Sequence, residues 1–162
     1  MTEPAPMEKP VRTFCTFRAQ GRLYGIDVGQ VREVSTHVTV TPVPQSPPIV
    51  RGLANLRSRV YLVLDIGAAL GLPRSECTET SRLIVLQARV AEHLGFFVDC
   101  GGDIARVPLE QIEAPPDRTT ETPESVVDRP SSPVVGVCKL DAELMMIIDP
   151  LRIVEAMENA IL

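Results

Sequence analysis

The sequence has no excess of basic charge. Sixteen lysines and arginines stand against twenty-one aspartates and glutamates, a formal net charge of −5. That balance argues against a nucleic-acid binder, whose affinity comes from basic groups neutralising phosphates. Only a local basic patch from Arg51, Arg57 and Arg59 stays open. Long hydrophobic runs are also missing. The longest, such as Leu144 to Ile148, fall far short of the roughly 20 residues that a membrane-spanning helix needs, so no membrane insertion is expected. The stretch from Met1 to Phe14 lacks an apolar segment, and no secretory leader is expected. The four cysteines (Cys15, Cys77, Cys100 and Cys138) are scattered with no C-x-x-C pair. They read as reduced, mostly buried thiols of a cytoplasmic protein.

Catalytic signatures are absent as well. There is no G-x-x-x-x-G-K-[ST] or G-x-G-x-x-G loop to cradle a phosphate, and no G-x-S-x-G or H-E-x-x-H. The two histidines, His37 and His93, lack partners at ligand or triad spacing and read as surface residues. "DCGGD" (Asp99 to Asp103) has too few oxygen ligands for a metal loop and reads as a glycine kink at a strand end. Asp65 and Asp149 read as helix caps rather than a catalytic pair. No catalytic, cofactor or metal site is expected.

Short β-branched runs bounded by Gly, Pro and Asp fill the chain, among them "LYGIDV", "IVRGLANL", "VYLVLD", "LIVLQARV" and "HLGFFVD". Their lengths and spacings predict an all-β protein. Two helices interrupt it. One follows Asp65 and is stopped by Gly71 and Pro73. The other spans about 150–161, with Asp149 as its cap and Leu151, Val154, Met157 and Ile161 on one face. Residues 1–12 read as a flexible tail and 115–133, rich in proline, as a long loop.

The chain also repeats itself. An offset of 84 lays Val50 on Val134, Gly52 on Gly136, Leu62 on Met146 and Asp65 on Asp149. An offset of 70 lays Gly25 on Gly95, Val28 on Val98, Glu33 on Asp103 and Val34 on Ile104. The pattern predicts an internal duplication and two similar small antiparallel barrels. A half this small buries little alone, so the contact between halves should hold much of the core.

The stretch "LYGIDVGQVREV", a Pro-punctuated connection, "IVRGLANLRSRVYLVLD" and a short helix together resemble the CheW family. The matching residues are Tyr24, Gly25, Ile26, Asp27, Glu33, Gly52, Asn55, Leu56, Arg57 and Asp65. The second half matches through Gly95, Val98, Asp99, Ile104, Gly136 and Asp149. The resemblance implies one CheW-like domain over residues 13–158. It would consist of two pseudo-symmetric five-stranded β-barrels, about 13–75 and 80–150 and open to interweaving. It also implies a non-catalytic adaptor with two main partners: the regulatory domain of a CheA-type histidine kinase and the cytoplasmic tip of a methyl-accepting chemoreceptor. Assembly into CheW-like rings or arrays goes with this, at receptor clusters near the inner membrane. The alternatives are a regulator or localiser of a motility or developmental kinase and, more remotely, a small metal-dependent β-barrel hydrolase using Asp65, Asp99, Asp103 or Asp149.

The family resemblance puts Arg57 and Glu33, close enough to pair, beside the partner groove, with Asn55 and Ser58 next to Arg57. Ser58 is a departure, because the family usually has glycine there and a tight left-handed turn suits Ser less well. Val28, Val31 and Val34 cannot all share one strand face, and Val31, beside Glu33, is the one expected to face outward. Gly95 and Gly101 match family positions near the groove between barrels.

Overall fold

A computed structural model describes residues 9–115 and 132–161. Most of the expected proline-rich loop and the first eight residues of the expected tail lie outside these. Twelve strands and two helices follow in order. The strands of the first part are Val11–Ala19 (β1), Arg22–Asp27 (β2), Val31–Thr36 (β3), Val40–Thr41 (β4), Val50–Leu56 (β5) and Arg59–Asp65 (β6). Those of the second are Arg82–Leu86 (β7), Leu94–Val98 (β8), Cys100–Pro108 (β9), Ile112–Glu113 (β10), Val134–Leu140 (β11) and Glu143–Ile148 (β12). The helices are Ile66–Ala69 (α1) and Pro150–Ile161 (α2). The protein is thus mainly β with short helices, as its β-branched runs predict. β1 already starts at Val11, inside the span expected to be tail, because its backbone pairs with β9 from Val11 opposite Pro108 onward.

The strands form two six-stranded sheets. The first runs β3-β7-β8-β6-β5-β4 and the second β10-β11-β12-β2-β1-β9. Six strands, rather than five, arise because the short β4 and β10 each add to a border. Each sheet ends in two border strands, with no ladder closing it into a ring among the described residues.

The duplication is written in the register. In the β5–β6 hairpin Val50 pairs with Leu64, a bulge follows, and Gly52 pairs with Val63. In the β11–β12 hairpin Val134 pairs with Ile148, the same bulge follows, and Gly136 pairs with Ile147. The parallel pairings agree: Val63 lies beside Gly95 and Ile147 beside Gly25. Both glycines have the same physical reason. A Cβ on Gly95 would come 2.8 Å from Leu83 Cδ1, and one on Gly25 would come 2.8 Å from Met145 Sδ. Each half hands its opening hairpin to the other: β1 and β2 sit in the second sheet, and β7 and β8 in the first.

Three apolar clusters result. Ala54, Tyr61, Val63, Leu83, Val85 and Phe97 fill the inside of the first sheet. Phe14, Val107, Cys138, Met145 and Ile147 fill the inside of the second. The largest cluster packs the sheets together through Phe17, Tyr24, Ile26, Leu64, Ile84 and Phe96, with Ile153, Val154 and Met157 of α2. β7 is buried on both faces, Leu83 and Val85 facing one cluster and Ile84 and Leu86 the other. This explains its unbroken apolar run, since a strand with no solvent face has no polar alternation. Each such side chain contributes about 1.5–3 kcal/mol when fully buried, so the layer between the sheets is the main core. On α2 the buried face is Ile153, Val154 and Met157, while Leu151 points to solvent. The face expected from Leu151 is therefore rotated, because Ile153 and Val154 are the pair that meets the core one turn before Met157.

Candidate functional site

β5 and β6 are joined by a two-residue turn, with Leu56 and Arg59 as its closing pair. Both turn residues are left-handed, Arg57 at φ 51° and Ser58 at φ 69°. This is the turn whose twist matches that of the flanking strands, and Asn-Gly or Gly-Gly commonly fills it. Here two side-chain-bearing residues hold it, so the Arg57 side chain is projected from a rigid strand end. That side chain is 81% exposed.

Arg57 is not left to roam. Its Nη2 lies 3.1 Å from Glu33 Oε2, whose side chain is 22% exposed. Glu33 follows a bulge in β3, where the register slips between Val31 and Glu33. β3 is one border of the first sheet and the β5–β6 turn lies toward the other. The ion pair therefore spans the curl of the sheet. Arg59 and Asn55 are exposed beside the turn. Leu53 and Val60 add apolar surface on the same hairpin, and Val60 is 56% exposed. The patch thus combines a positioned guanidinium, an amide, a hydroxyl and aliphatic surface, the mixture that suits protein recognition.

Other expected site residues lie elsewhere. Val31 packs against the main core, as does Val34. The outward-facing member of the trio is Val28, in the 3₁₀ turn Val28–Gln30. That turn breaks the strand before β3, so simple alternation through the three valines does not apply. Gly95 is buried in β8 and explained by its contact with Leu83. Gly101 sits where β1 and β9 slip register, and a Cβ there would come 2.7 Å from Phe17 Cβ and 2.8 Å from Thr16 O. Close packing accounts for both glycines. The "DCGGD" kink is this bulge, with Gly102 at φ 109°.

Arg51 does not join the basic patch. It turns inward, its Nη1 2.7 Å from Asp65 Oδ2 and its guanidinium carbon 3.9 Å from the centroid of the Phe97 ring. The same nitrogen donates to the Ser75 carbonyl. Asp65 is fully buried and caps α1 by accepting from the Ala68 amide at 2.9 Å. The sequence shows the cap; it does not show the arginine that neutralises it. Asp149 caps α2 through the Leu151 amide at 3.0 Å. Asp99 accepts from the Gln20 amide, and Asp103 lies exposed on β9. The aspartates of the hydrolase reading thus have structural employment or are dispersed.

The second half does not repeat the patch. The positions matching Glu33 and Arg57 hold Asp103 and Asp141, two acids that cannot pair. The second sheet is tied instead by Arg18, which donates at 2.6 and 2.8 Å to both oxygens of Glu143. Those bonds hold the Glu143 carboxyl below its ordinary value. Burial pushes the thiols of Cys15 and Cys138 up, with the charge of Asp103 adding to the effect at Cys15. Both behave as packing residues. Cys77 is exposed, against the expectation of mostly buried thiols. His93 stacks on Tyr61 with its Nδ1 3.2 Å from the Val60 carbonyl, a surface brace for β6.

A family model described as the CheW-like domain matches residues 13–158. The chemotaxis protein CheW of Bacillus subtilis (strain 168) is 30% identical over 133 residues, covering 82% of this chain and 80% of that protein. The chemotaxis protein CheW of Rhizobium meliloti (strain 1021) is 32% identical over 106 residues, 65% of this chain and 68% of that one. The crystal structure of the scaffolding protein TtCheW from Thermoanaerobacter tengcongensis superposes with a TM-score of 0.70 at 26% identity, over 86% of this chain and 90% of that one.

Proposed function

The chain belongs to the CheW-like family, and from that membership we propose that it is an adaptor between chemoreceptors and a CheA-type histidine kinase. Proteins of this family are scaffolds without catalytic activity, and this chain is one of them. One surface meets the cytoplasmic tip of a methyl-accepting receptor and another the regulatory domain of the kinase, with rings or arrays of such units as the assembled form. Its place is the cytoplasmic face of receptor clusters. No helix among the described residues is long and apolar enough to cross a membrane, so receptors would supply the anchorage. Each sheet, curled around its own apolar cluster, acts as an open barrel, and residues 13–158 work as one domain.

The observation that supports this best is the Arg57–Glu33 pair. An exposed guanidinium is held at a strand end by a half-buried carboxylate and flanked by Asn55, Ser58 and Val60. Anchoring arginines in such settings commonly dominate an interface. The test is direct titration of the protein against a purified kinase regulatory domain and a receptor-tip fragment, followed by reconstitution of kinase control. Saturable binding to both and receptor-dependent change in kinase activity are expected. Binding to neither, with the protein folded, would overturn the reading.

A further inference from the structure

The two halves differ most at one internal place. In the first half, the carboxylate that ends β6, Asp65, is neutralised by Arg51, whose guanidinium lies over Phe97. The repeat maps Asp65 on Asp149, Arg51 on Val135 and Phe97 on Asp27. In the second half the arginine is therefore a valine and the aromatic is a second carboxylate. Among the described residues, a solvent-connected cavity of about 410 Å³ lies beside the corresponding place in the second half, lined by Arg12, Asp27, Arg89, Val135, Ile148 and Asp149.

The charges in this cavity are unevenly spoken for. Arg12 donates to Asp27 Oδ2 at 3.1 Å from Nη2, and Asp27 Oδ1 accepts from the Gly29 amide at 2.8 Å. Arg89 donates to the Gly29 carbonyl. Asp149 accepts from the Leu151 amide, and its other oxygen is 4.0 Å from Arg152 Nε. Asp65, its counterpart, is gripped by a guanidinium and two backbone amides. Whereas Asp27 is held by Arg12 at 3.1 Å, Asp149 is thus paired only loosely, with Arg152 at 4.0 Å. The floor beside it, Val135 and Ile148, is apolar and can receive the stem and flat face of a planar cation.

We infer that this cavity is a binding site for a guanidinium group, seated against Asp149 where the first half seats its own Arg51. A planar fork matches a carboxylate with two parallel hydrogen bonds, which a point-charge ammonium cannot reproduce. The ligand is either an arginine side chain presented by a partner or a small free guanidinium compound.

The test uses the full chain, with amide resonances followed by NMR at constant ionic strength. It is titrated with N-acetyl-arginine amide, methylguanidine and N-acetyl-lysine amide. Saturable binding of about millimolar strength is expected for the guanidinium compounds, with shifts centred on Val135, Ile148 and Asp149. Tighter binding of the arginine compound points to a partner side chain, and equal binding of methylguanidine to a free small ligand. Asp149→Asn keeps a competent helix cap and should weaken binding by about tenfold or more. Val135→Arg should fill the cavity from within, abolish binding and raise the melting temperature. No saturation with wild type, undiminished binding to Asp149→Asn, or equal binding of the lysine compound would each overturn the inference.

Discussion

Arg57 Nη2 and Glu33 Oε2 stand 3.1 Å apart, joining the turn between β5 and β6 to the border strand β3. The arginine is mostly in solvent and the glutamate mostly is not. This asymmetry fixes what the pair does. An ion pair with one member so exposed is typically worth only about 0.2–1 kcal/mol, too little to matter for folding. It serves to hold one side chain in place for a partner.

Arg57→Ala should therefore leave the melting temperature nearly unchanged while weakening partner binding by about 2 kcal/mol, roughly 30-fold. Glu33→Ala should weaken it less. The double variant should lose less than the two single losses together, because the residues act as a unit. Thermal melts and titration against kinase regulatory domain and receptor tip measure all three. Normal binding by Arg57→Ala would reduce the residue to a strand-end charge, and unfolding would make its place structural.

Ser58→Gly should stabilise the protein. Ser58 sits at φ 69°, a conformation that costs a residue with a Cβ about 1–2 kcal/mol and glycine little. Part of that gain is offset by the larger entropy glycine loses on folding. A rise of about 2–4 °C in melting temperature corresponds to a net 1 kcal/mol for a chain of this size. A fall would show that the Ser58 side chain makes a contact worth more than the turn strain.

Arg51→Ala should be far more damaging than Arg57→Ala, although both remove an arginine paired with a carboxylate. It leaves Asp65 charged in a fully buried place, and breaking a buried pair this way costs about 3–5 kcal/mol. Urea denaturation would measure it. A loss below about 1 kcal/mol would class the pair with exposed bridges.

Gly101→Ala separates packing from binding. The added methyl meets Phe17 Cα at 2.9 Å and Thr16 O at 2.8 Å, both in the backbone of β1, so the strands must shift. Lower stability in denaturant with unchanged affinity per folded molecule is expected. Normal stability with lost affinity would return Gly101 to the recognition surface.

The Arg18–Glu143 tie should appear in the acid limb of stability. Glu143 has its pKa lowered from 4.5, chiefly by the hydrogen bonds from Arg18. The unfolded chain therefore takes up this proton more readily than the folded one. The stabilisation is complete above the unfolded value and is lost as pH falls through the lower folded one. Glu143→Gln should melt below wild type at pH 7 and converge on it in acid. A gap that stays constant across this range would mean that the difference is steric.

The hairpin repeat was readable in the sequence because its signals are local. Gly52 and Gly136, Asp65 and Asp149 recur at one offset, and the ladder follows them residue for residue. The helix caps were readable for the same reason. The exchange of β1–β2 with β7–β8 was not, since pairing across a hundred residues leaves no periodicity in either strand. The inward packing of Val31 is not legible because the 3₁₀ turn at Val28–Gln30 resets the face count before β3. By sequence alone Arg51 groups with Arg57 and Arg59 as surface charge. Nothing in "VRGLANL" states that a bulge between Val50 and Gly52 accompanies an arginine turned in toward Asp65. The Arg57–Glu33 contact came from family resemblance, as the two residues lie on strands that sequence alone does not bring together.

The exchanged hairpins also set an order of events at the ribosome. The first sheet is built entirely from residues 31–98, while the second needs 11–27 together with 100–148. β1 and β2 can pair with each other at once, but the outer neighbours of that hairpin, β9 and β12, are made much later. At about 5–20 residues per second, β1 and β2 wait on the order of ten seconds for β9 and β12. During that interval Phe14 lacks the cluster it joins in the finished protein, and Phe17, Tyr24 and Ile26 can bury only against Leu64, Ile84 and Phe96 once the first sheet is made. The completed first sheet is then the surface that waits to receive this hairpin, through Leu64, Ile84 and Phe96.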